Sequence, residues 1–441
     1  MAPSPISKLS QELIDRIIDA LVEPSEVNLA SLNSSPSHNS ALFSSSLICR
    51  SFRARSQKLL YSHVTIDVHR VDSFYRLIMD SGIIAGYVED LELLLTHNDY
   101  KWLWEDQRFM RIMNALALPR SALRTLSLRT RHVIQNIEDG RAMVQKFIKP
   151  FIGPKITSLQ IYGLSSIPVE VVSSCVNLTH LVLSWTGVDT SFLASPEVEI
   201  LSRPVKLRRL TYNHSPNALT MLLGWNGTRP CLDISQLTIL TIGIEAFNNL
   251  SFEQRIIDAT GNTLRELHIT DLECHEINYT ADRFVNLRGC SHLRVLELDV
   301  NFGRSVLLED DMDDLDNICR ILSNIPNPNQ LHDFRFTVHV GYWVNQEPEA
   351  ILEADWDRFS EQIRRCLARK SVLSLHMDYL PSDDSMAEGN TSDHEDRRST
   401  SYKVRCAEAM GKLVREKFSG FSTAEALISI LTTYSISSFY S

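Results

Sequence analysis

The residues best equipped for chemistry in this 441-residue chain are an adjacent thiol, imidazole and carboxylate, Cys274-His275-Glu276. Nucleophilic catalysis needs a thiolate and a base that converge in space, whereas adjacent residues on a strand or loop point apart. The acidic run over residues 309–316 lacks the glycine and the final glutamate of a calcium-binding loop. We interpret it as a solvated loop whose last acids begin a helix that ends near Leu322.

The sequence does not indicate metal or phosphate sites either. The 14 histidines and eight cysteines include no histidine pair beside closely spaced cysteines of the zinc-binding kind. No glycine-rich phosphate loop is present. The basic group Arg50, Arg53, Arg55 and Lys58 is interpreted as the exposed face of a short helix, because nucleic-acid sites need a broader basic surface. We therefore expect no enzyme activity, no cofactor and no bound metal.

The composition is that of an ordinary soluble protein, with 44% hydrophobic and 22% charged residues. The formal net charge of −10 argues against general attraction to nucleic acid or anionic lipid. The sequence shows no secretory signal, no long apolar span and no C-x-x-C pair. These features predict a cytoplasmic or nuclear protein with reduced thiols, no membrane contact and a monomeric state outside complexes with its partners.

One hydrophobic spacing occurs nine times along the chain: an apolar residue is followed by two others, three and five positions later. Successive triplets recur at intervals on the order of 20–40 residues, which is typical of a supersecondary unit stacked many times. The nine triplets are Val88/Leu91/Leu93, Leu123/Leu126/Leu128, Ile156/Leu159/Ile161, Leu178/Leu181/Leu183, Leu207/Leu210/Tyr212, Leu237/Leu240/Ile242, Leu264/Leu267/Ile269, Leu293/Leu296/Leu298 and Leu331/Phe334/Phe336.

The last two members of each triplet are two residues apart, the strand period, so they face one side of a sheet. Helical patterns precede several triplets, and further strands are expected at Val64-Thr65-Ile66 and Leu373-Ser374-Leu375. The order predicts repeated helix–strand units with parallel strands over residues 63–380. The alternative is an ordinary α/β sheet domain with coincidental leucine spacing. The predicted helices cover residues 71–79, 106–116, 141–151, 252–259 and 315–322.

Residues that alternate with the inward leucines should lie on the open face of the sheet. Acids outnumber basic residues there, so a bound target would carry a basic or mixed-charge segment. A solvated strand face without a ligand is the alternative. The candidate target-binding residues are Glu92, Arg129, Tyr162, Arg209, Glu266, His268, Glu297, Asp299 and Arg335.

The N-terminal segment, residues 1–62, follows a different pattern. Residues 9–21 have apolar side chains at helical spacing, and Ser10 is suited to cap that helix. After a serine-rich insertion over residues 25–40, apolar spacing resumes over residues 42–61 and predicts two more short helices. A unit of this size buries little surface, so it either binds a partner or caps the first repeat.

This N-terminal pattern resembles an F-box, and the spaced triplets resemble leucine-rich repeats of irregular length. Phe52 stands in the aromatic place of the family's V-C-(K/R)-x-W type signal, whereas Ser10 replaces the usual proline and the 25–40 insertion separates the first two helices. The whole layout is similar to the F-box-like sets of basidiomycete fungi. The matching segments are Leu9-Ser10-Gln11-Glu12-Leu13-Ile14-Asp15-Arg16-Ile17-Ile18, Ser46-Leu47-Ile48-Cys49-Arg50-Ser51-Phe52 and Leu59-Leu60-Tyr61.

The resemblance implies an α/β protein: a small all-α F-box of three short helices, then an irregular leucine-rich-repeat α/β solenoid with parallel strands. Its function would be substrate recognition in an SCF (Skp–cullin–F-box) ubiquitin ligase, through a Skp-type adaptor, a cullin–RING ligase and an unidentified target protein. The alternative is an adaptor-independent repeat scaffold that binds a protein or RNA ligand. The implied adaptor contacts, some of which must instead form the internal core, are Leu9, Leu13, Ile14, Ile17, Leu42, Leu47, Cys49, Phe52 and Tyr61.

The C-terminal region departs from the repeat pattern. Residues 381–401 are polar and acidic, which predicts a disordered loop. Residues 402–441 are expected to form a helical cap over the last repeat, including a terminal helix or cap within residues 426–440. The cap residues expected to face the core are Val404, Ala407, Leu413, Val414 and Phe418.

Overall fold

Most of the spaced apolar residues belong to parallel strands, which the structure arranges in two α/β units. The computed structural model describes residues 10–21, 36–96, 100–134, 139–189, 203–244, 250–273, 285–302, 315–327, 329–341, 354–367, 371–380, 405, 408, 411–413, 416–418 and 426–431. One compact unit comprises Met1–Val205 with Asn217–Asp233, and the other comprises Lys206–Pro216 with Ile234–Ser441.

The first unit starts with three helices and continues with parallel strands that pair in chain order, β1-β2-β3-β4-β6. Two short ribbons pair β5 with β7 and β8 with β10, and β8 crosses the boundary between the units, because Val205 belongs to the first and Lys206 to the second. The helices are α1 (Gln11–Asp19), α2 (Pro36–Ile48), α3 (Arg50–Leu60), α4 (Val71–Asp80), α5 (Trp102–Glu105), α6 (Gln107–Ala117), α7 (Gly140–Met143, extended by wider π-type turns over Val144–Ile152), α8 (Val169–Ser173) and α9 (Pro216–Leu222), and a 3-10 turn covers Ile84–Gly86. The strands are β1 (His63–Ile66), β2 (Asp90–Leu95), β3 (Thr125–Ile134), β4 (Ser158–Leu164), β5 (Ile167–Pro168), β6 (His180–Ser184), β7 (Val188–Asp189), β8 (Val205–Lys206) and β10 (Leu232–Asp233).

The second unit is a run of parallel strands that also pair in chain order, β9-β11-β12-β13-β14-β15-β16. Its strands are β9 (Arg209–Asn213), β11 (Ile239–Gly243), β12 (Glu266–Glu273), β13 (Val295–Phe302), β14 (Asp333–Gly341), β15 (Ser371–Leu380) and β16 (Ala426–Leu431). Its helices are α10 (Ser251–Thr260), α11 (Asp316–Ser323) and α12 (Trp356–Cys366).

Within each unit, the triplets form continuous buried rows. Every one of their side chains is at most 2% exposed. Leu126 lies opposite both Leu91 and Leu159, and Leu296 lies opposite both Leu267 and Phe334. Burying one such side chain contributes about 1.5–3 kcal/mol, so these rows supply much of the driving force for folding. The prediction of parallel strands that share one leucine face is confirmed.

Most predicted helices and both added strands are also found. The structure places α4, α6, α10 and α11 within a residue or two of the expected bounds, and β1 and β15 occupy the expected strand positions. The helix predicted over residues 141–151 is α7 with its π-type extension. α2 begins at Pro36, so the last part of the predicted insertion belongs to a helix.

Long basic side chains join consecutive repeats at the helix ends. Lys155 Nζ donates to the carbonyl oxygens of Leu116 (2.7 Å) and Leu118 (2.6 Å), at the C-terminal end of α6. Arg365 donates to the carbonyl oxygens of Leu322 and Ile325, at the C-terminal end of α11. In both places a cation from the next repeat donates to carbonyl oxygens at or just beyond a helix C-terminus, where cations are favourable.

The C-terminal prediction is partly wrong. Ala426–Leu431 is a strand that pairs in parallel with β15, not part of a terminal helix. Ile428 and Ile430 continue the register rows of Leu373 and Leu375, so the β-branched residues extend the sheet where Ser429 interrupts the apolar run.

Part of the predicted cap is seen at its expected place. Leu413 and Phe418 are buried, and the Phe418 ring lies 6.3 Å from the rings of Trp356 and Phe359. Val404, Ala407 and Val414, together with the loop over residues 381–401, lie outside the described residues.

Candidate protein-binding surfaces

The first helix begins as the sequence predicts. The Ser10 hydroxyl accepts a hydrogen bond from the backbone N–H of Leu13 (3.4 Å), which caps α1. The Arg55 guanidinium pairs with Asp19 at 2.7 Å, and Gln11 Nε2 donates to the Ser51 carbonyl at 3.0 Å. These contacts attach α1 to α3.

The three N-terminal helices have a hydrophobic core of their own. Ile14, Ile18, Leu42 and Phe52 form one buried cluster. Three of these, Ile14, Leu42 and Phe52, were expected to contact an adaptor, but they lie inside the unit because a small unit must keep its few large apolar side chains together to fold. The partly buried side chains packed against the cluster are Leu21, Cys49, Leu59 and Leu60.

Five other large apolar side chains on the same helices are exposed. The α1 stripe consists of Leu13 and Ile17, and the α2 stripe consists of Phe43, Leu47 and Ile48. Their exposed fractions range from 41% to 65%. Residues four apart lie on one helix face, so each stripe is continuous along its helix. Grouped exposed apolar residues of this size mark interaction sites more often than isolated ones do.

The stripes contain three of the residues predicted to contact an adaptor, Leu13, Ile17 and Leu47. They also contain Phe43 and Ile48, which the prediction did not include, although Phe43 precedes Leu47 by one helical turn. Cys49 and Tyr61 are half-buried. Leu9 lies outside the described residues.

On the open face of the first unit, three predicted target-binding residues come together. Arg129 Nε lies 3.7 Å from Glu92 Oε1, and the Arg129 guanidinium lies 4.9 Å from the centre of the Tyr162 ring. Glu92 also accepts a hydrogen bond from the Thr65 hydroxyl at 2.7 Å. The expectation that Glu92 is open to a ligand is wrong, because these neighbours and His63 cover it.

The electrostatics of this group follow from its burial and its ion pairs. Burial opposes ionisation of Glu92, but His63, Thr65 and Arg129 outweigh that effect and lower the pKa of the carboxyl. The nearby Glu92 carboxylate, 3.7 Å from Nε2, raises the pKa of His63. Burial raises the pKa of Tyr162 to about 12, so its phenol stays protonated.

Protonation of His63 should stabilise the first unit. Because its pKa is raised on folding, the stabilisation is fully present below the unfolded value of about 6.5 and is lost as pH rises through the folded value. Replacing His63 by glutamine should therefore lower the urea unfolding midpoint at pH 6 and have little effect at pH 8. An equal difference at both pH values would contradict the pairing with Glu92. His69→Gln, at another exposed histidine of this unit, is the matched control.

On the open face of the second unit, the predicted residues form an ion-pair network. His268 Nδ1 lies 2.8 Å from Glu297 Oε2, and Arg335 Nη1 lies 3.5 Å from the same oxygen. Arg335 also pairs with Asp333 at 3.0 Å, and His268 Nε2 lies 3.8 Å from Glu266. The contacts of Glu297 join β12, β13 and β14, whereas the other two contacts lie within β12 and within β14.

The two remaining candidates lie outside the register row of His268, Glu297 and Arg335, and Arg209 shares the row of Glu266 two strands away. Arg209 is exposed on β9 opposite Ile239, and Asp299 lies on β13 opposite Thr337. The structure therefore brings together Glu266, His268, Glu297 and Arg335 of this unit.

Chemistry by cysteine is not supported among the buried thiols. Burial raises the pKa of Cys175 to about 12, and that of Cys231, Cys290 and Cys366 to about 11. A reactive cysteine needs a lowered pKa and access to solvent. Cys274-His275-Glu276 lies outside the described residues.

No group of three potential metal ligands occurs within the part of the chain that the structure describes. Of the acidic run, residues 309–314 lie outside that part. Asp316 begins α11, as expected, and its carboxylate pairs with Arg320 at 2.8 Å and with Arg358.

Comparisons with known proteins add no assignment: neither a protein-family model nor a curated protein matches the chain. Among the described helices, none is both long enough and apolar enough to cross a membrane. The surfaces described above are therefore the basis for inferring function.

Proposed function

We propose that this protein is a substrate-recognition subunit of an SCF ubiquitin ligase, which acts in the cytoplasm or nucleus. The N-terminal helices bind a Skp-type adaptor, and the strand repeats hold the target protein. The observation that carries the proposal is the pair of exposed apolar stripes on a helical unit that already has its own core. The F-box resemblance of the same segment supplies the identity of the partner.

The exposed stripes argue against a simple cap on the first repeat. A cap would turn its apolar side chains toward the sheet. Instead, α3 leads directly into β1, and Lys58 on α3 pairs with Glu89 beside β2 at 3.8 Å. The unit is attached to the first repeat through α3 while the stripes on α1 and α2 stay exposed. Helical stripes of this kind suit insertion into an apolar groove of a partner.

The proposed role requires no active site in this chain. A receptor that holds a target and an adaptor at once raises the effective concentration of the target's lysines near a ubiquitin-charged enzyme. Ubiquitin transfer is faster because the target is held close to the charged enzyme. Ion-pair networks and buried thiols, as found on the described strands, are compatible with a surface that binds without reacting.

A second candidate is an adaptor-independent scaffold for a protein or RNA ligand. Ser10, in the place where the F-box family usually has proline, favours it. In this structure Ser10 caps α1, because its hydroxyl accepts a hydrogen bond from the backbone N–H of Leu13.

The deciding experiment is co-purification of the tagged full-length chain from fungal cells, with mass spectrometry of the bound proteins. A Skp-type adaptor and a cullin should be recovered in near-stoichiometric amounts. Recovery of folded protein with neither would favour the scaffold.

A further inference from the structure

A row of basic side chains crosses the second unit at the N-terminal ends of its strands. Arg208, Arg265 and Arg294 are the residues just before β9, β12 and β13. Backbone hydrogen bonds join the row: Thr238 N–H to Arg208 O at 2.9 Å, Arg265 N–H to Thr238 O at 2.9 Å, Arg294 N–H to Arg265 O at 2.7 Å and His332 N–H to Arg294 O at 3.0 Å. We call Arg208, Arg265, Arg294 and His332 the basic row.

The basic row is exposed, and Thr238, just before β11 and between Arg208 and Arg265, is the uncharged position within it. Its four side chains are all open to solvent, and neighbouring strands are about 4.8 Å apart. Three more exposed cations, Lys206, Arg209 and Arg288, belong to the same unit. Within the described residues no carboxylate pairs with the three arginines of the row, whereas Arg320, Arg335 and Arg358 all form ion pairs. Like charges on adjacent strands repel, so Arg265 and Arg294 together oppose folding unless an anion binds.

The backbone does not require arginine at these positions. In the first unit the equivalent row, joined by the same hydrogen bonds, consists of Ser62, Glu89, Arg124, Thr157 and Thr179. Its acid, Glu89, pairs with Lys58. The fold therefore accepts neutral, acidic and basic residues at these positions, and the concentration of arginine in the second unit calls for a different explanation.

We infer that the basic row binds an acidic peptide segment of a partner protein, unlike the open face of the strands, where a basic or mixed-charge segment is expected. Guanidinium groups bind carboxylates through paired, charge-assisted hydrogen bonds, which gives arginine an advantage at such a site. From Arg208 to His332 the row covers four strand spacings, about 19 Å, which is the length of about six extended residues. Alternate acidic side chains of such a peptide would face the row.

A peptide fits the molecule better than nucleic acid does. The net charge of −10 repels a long polyanion such as nucleic acid. A short acidic segment lies close to the basic row and is attracted by the positive charge there. The members of the row include no aromatic side chain on which bases could stack, apart from the imidazole of His332 at one end. The inference rests on the proposed function only in that it names the class of target held, and its test uses no adaptor, so the two can fail separately.

The test is fluorescence anisotropy of a labelled oligoglutamate peptide with the full-length protein. Arg265→Gln with Arg294→Gln should weaken binding at least about tenfold, since two charge-assisted contacts are lost. Arg120→Gln with Lys146→Gln removes the same charge from exposed positions of the first unit and should leave affinity within about twofold. Added salt should weaken wild-type binding.

A stability measurement separates a binding role from a structural one. Because the row repels itself, the Arg265/Arg294 double variant should unfold at an equal or higher urea concentration than wild type. The proposal is overturned by a lack of peptide binding in the wild type, by equal losses in the two double variants, by a less stable row variant, or by tighter binding of a single-stranded RNA oligonucleotide than of the peptide.

Discussion

Replacing Leu13 and Ile17 together by alanine should lower the affinity for a Skp-type adaptor by about two orders of magnitude or more. Truncating one interface hot spot costs about 2 kcal/mol or more, and a tenfold change in affinity corresponds to about 1.4 kcal/mol. Both side chains are exposed in the free protein, so the change removes interface and leaves the Ile14–Phe52 cluster intact. Co-purification and titration calorimetry with the adaptor measure the loss.

The α2 stripe provides an independent version of the same test. Phe43→Ala with Leu47→Ala should weaken adaptor binding to a similar extent. Ile83 and Leu118 are also large, exposed and in the first unit, so Ile83→Ala with Leu118→Ala is the matched control and should bind normally. Undiminished adaptor recovery with both stripe variants would refute the assigned docking face.

A core variant distinguishes lost contacts from lost folding. Ile14 belongs to the same buried cluster as Phe52, and its replacement by alanine should lower the stability of the helical unit by about 2–5 kcal/mol. Circular dichroism and limited proteolysis should show a loosened N-terminal unit for Ile14→Ala and an unchanged one for the stripe variants.

Replacing Phe359 by alanine should lower the free energy of unfolding of the second unit by about 3–5 kcal/mol. The Phe359 ring is fully buried and lies 4.8 Å from Phe336, 5.5 Å from Trp356 and 6.3 Å from both Phe334 and Phe418. Its loss opens a cavity at the point where α12, β14 and the segment around Phe418 meet. A typical domain is stable by only about 5–15 kcal/mol, so much of the unit would unfold under mild conditions.

Urea unfolding followed by tryptophan fluorescence measures this effect, because Trp356 belongs to the same cluster. Phe43→Ala is the matched control, since it removes the same side chain from an exposed position and should change stability by about 0.5 kcal/mol or less. Equal shifts for the two variants would show that the aromatic cluster does not close the unit.

The leucine rows could be predicted because the spacing of the leucines alone shows that their side chains point to the same face of a strand. Leu91 and Leu93 are two residues apart, which only a strand turns to one face, and a similar spacing in eight further segments makes coincidence improbable. β16 was missed because Ser429 and the threonines that follow it break the apolar run, and that short segment carries no periodic signal strong enough to separate strand from helix.

The site could be predicted only in outline. Helical spacing shows that Leu13 and Ile14 both belong to an apolar segment, but their separation into surface and core depends on how α3 packs against α1. The basic row was missed for a related reason. Arg265 and Arg294 belong to different repeats and are distant in the sequence, and only the strand register brings them side by side.

The register of the strands also bears on how the protein is made. Within each unit, a strand of the main sheet pairs with the strand of the repeat that immediately precedes it in the sequence. Such near-neighbour pairing lets the growing polypeptide add one strand at a time to an existing edge as it leaves the ribosome. The N-terminal helices should therefore be folded and available to a partner before synthesis of the second unit has finished.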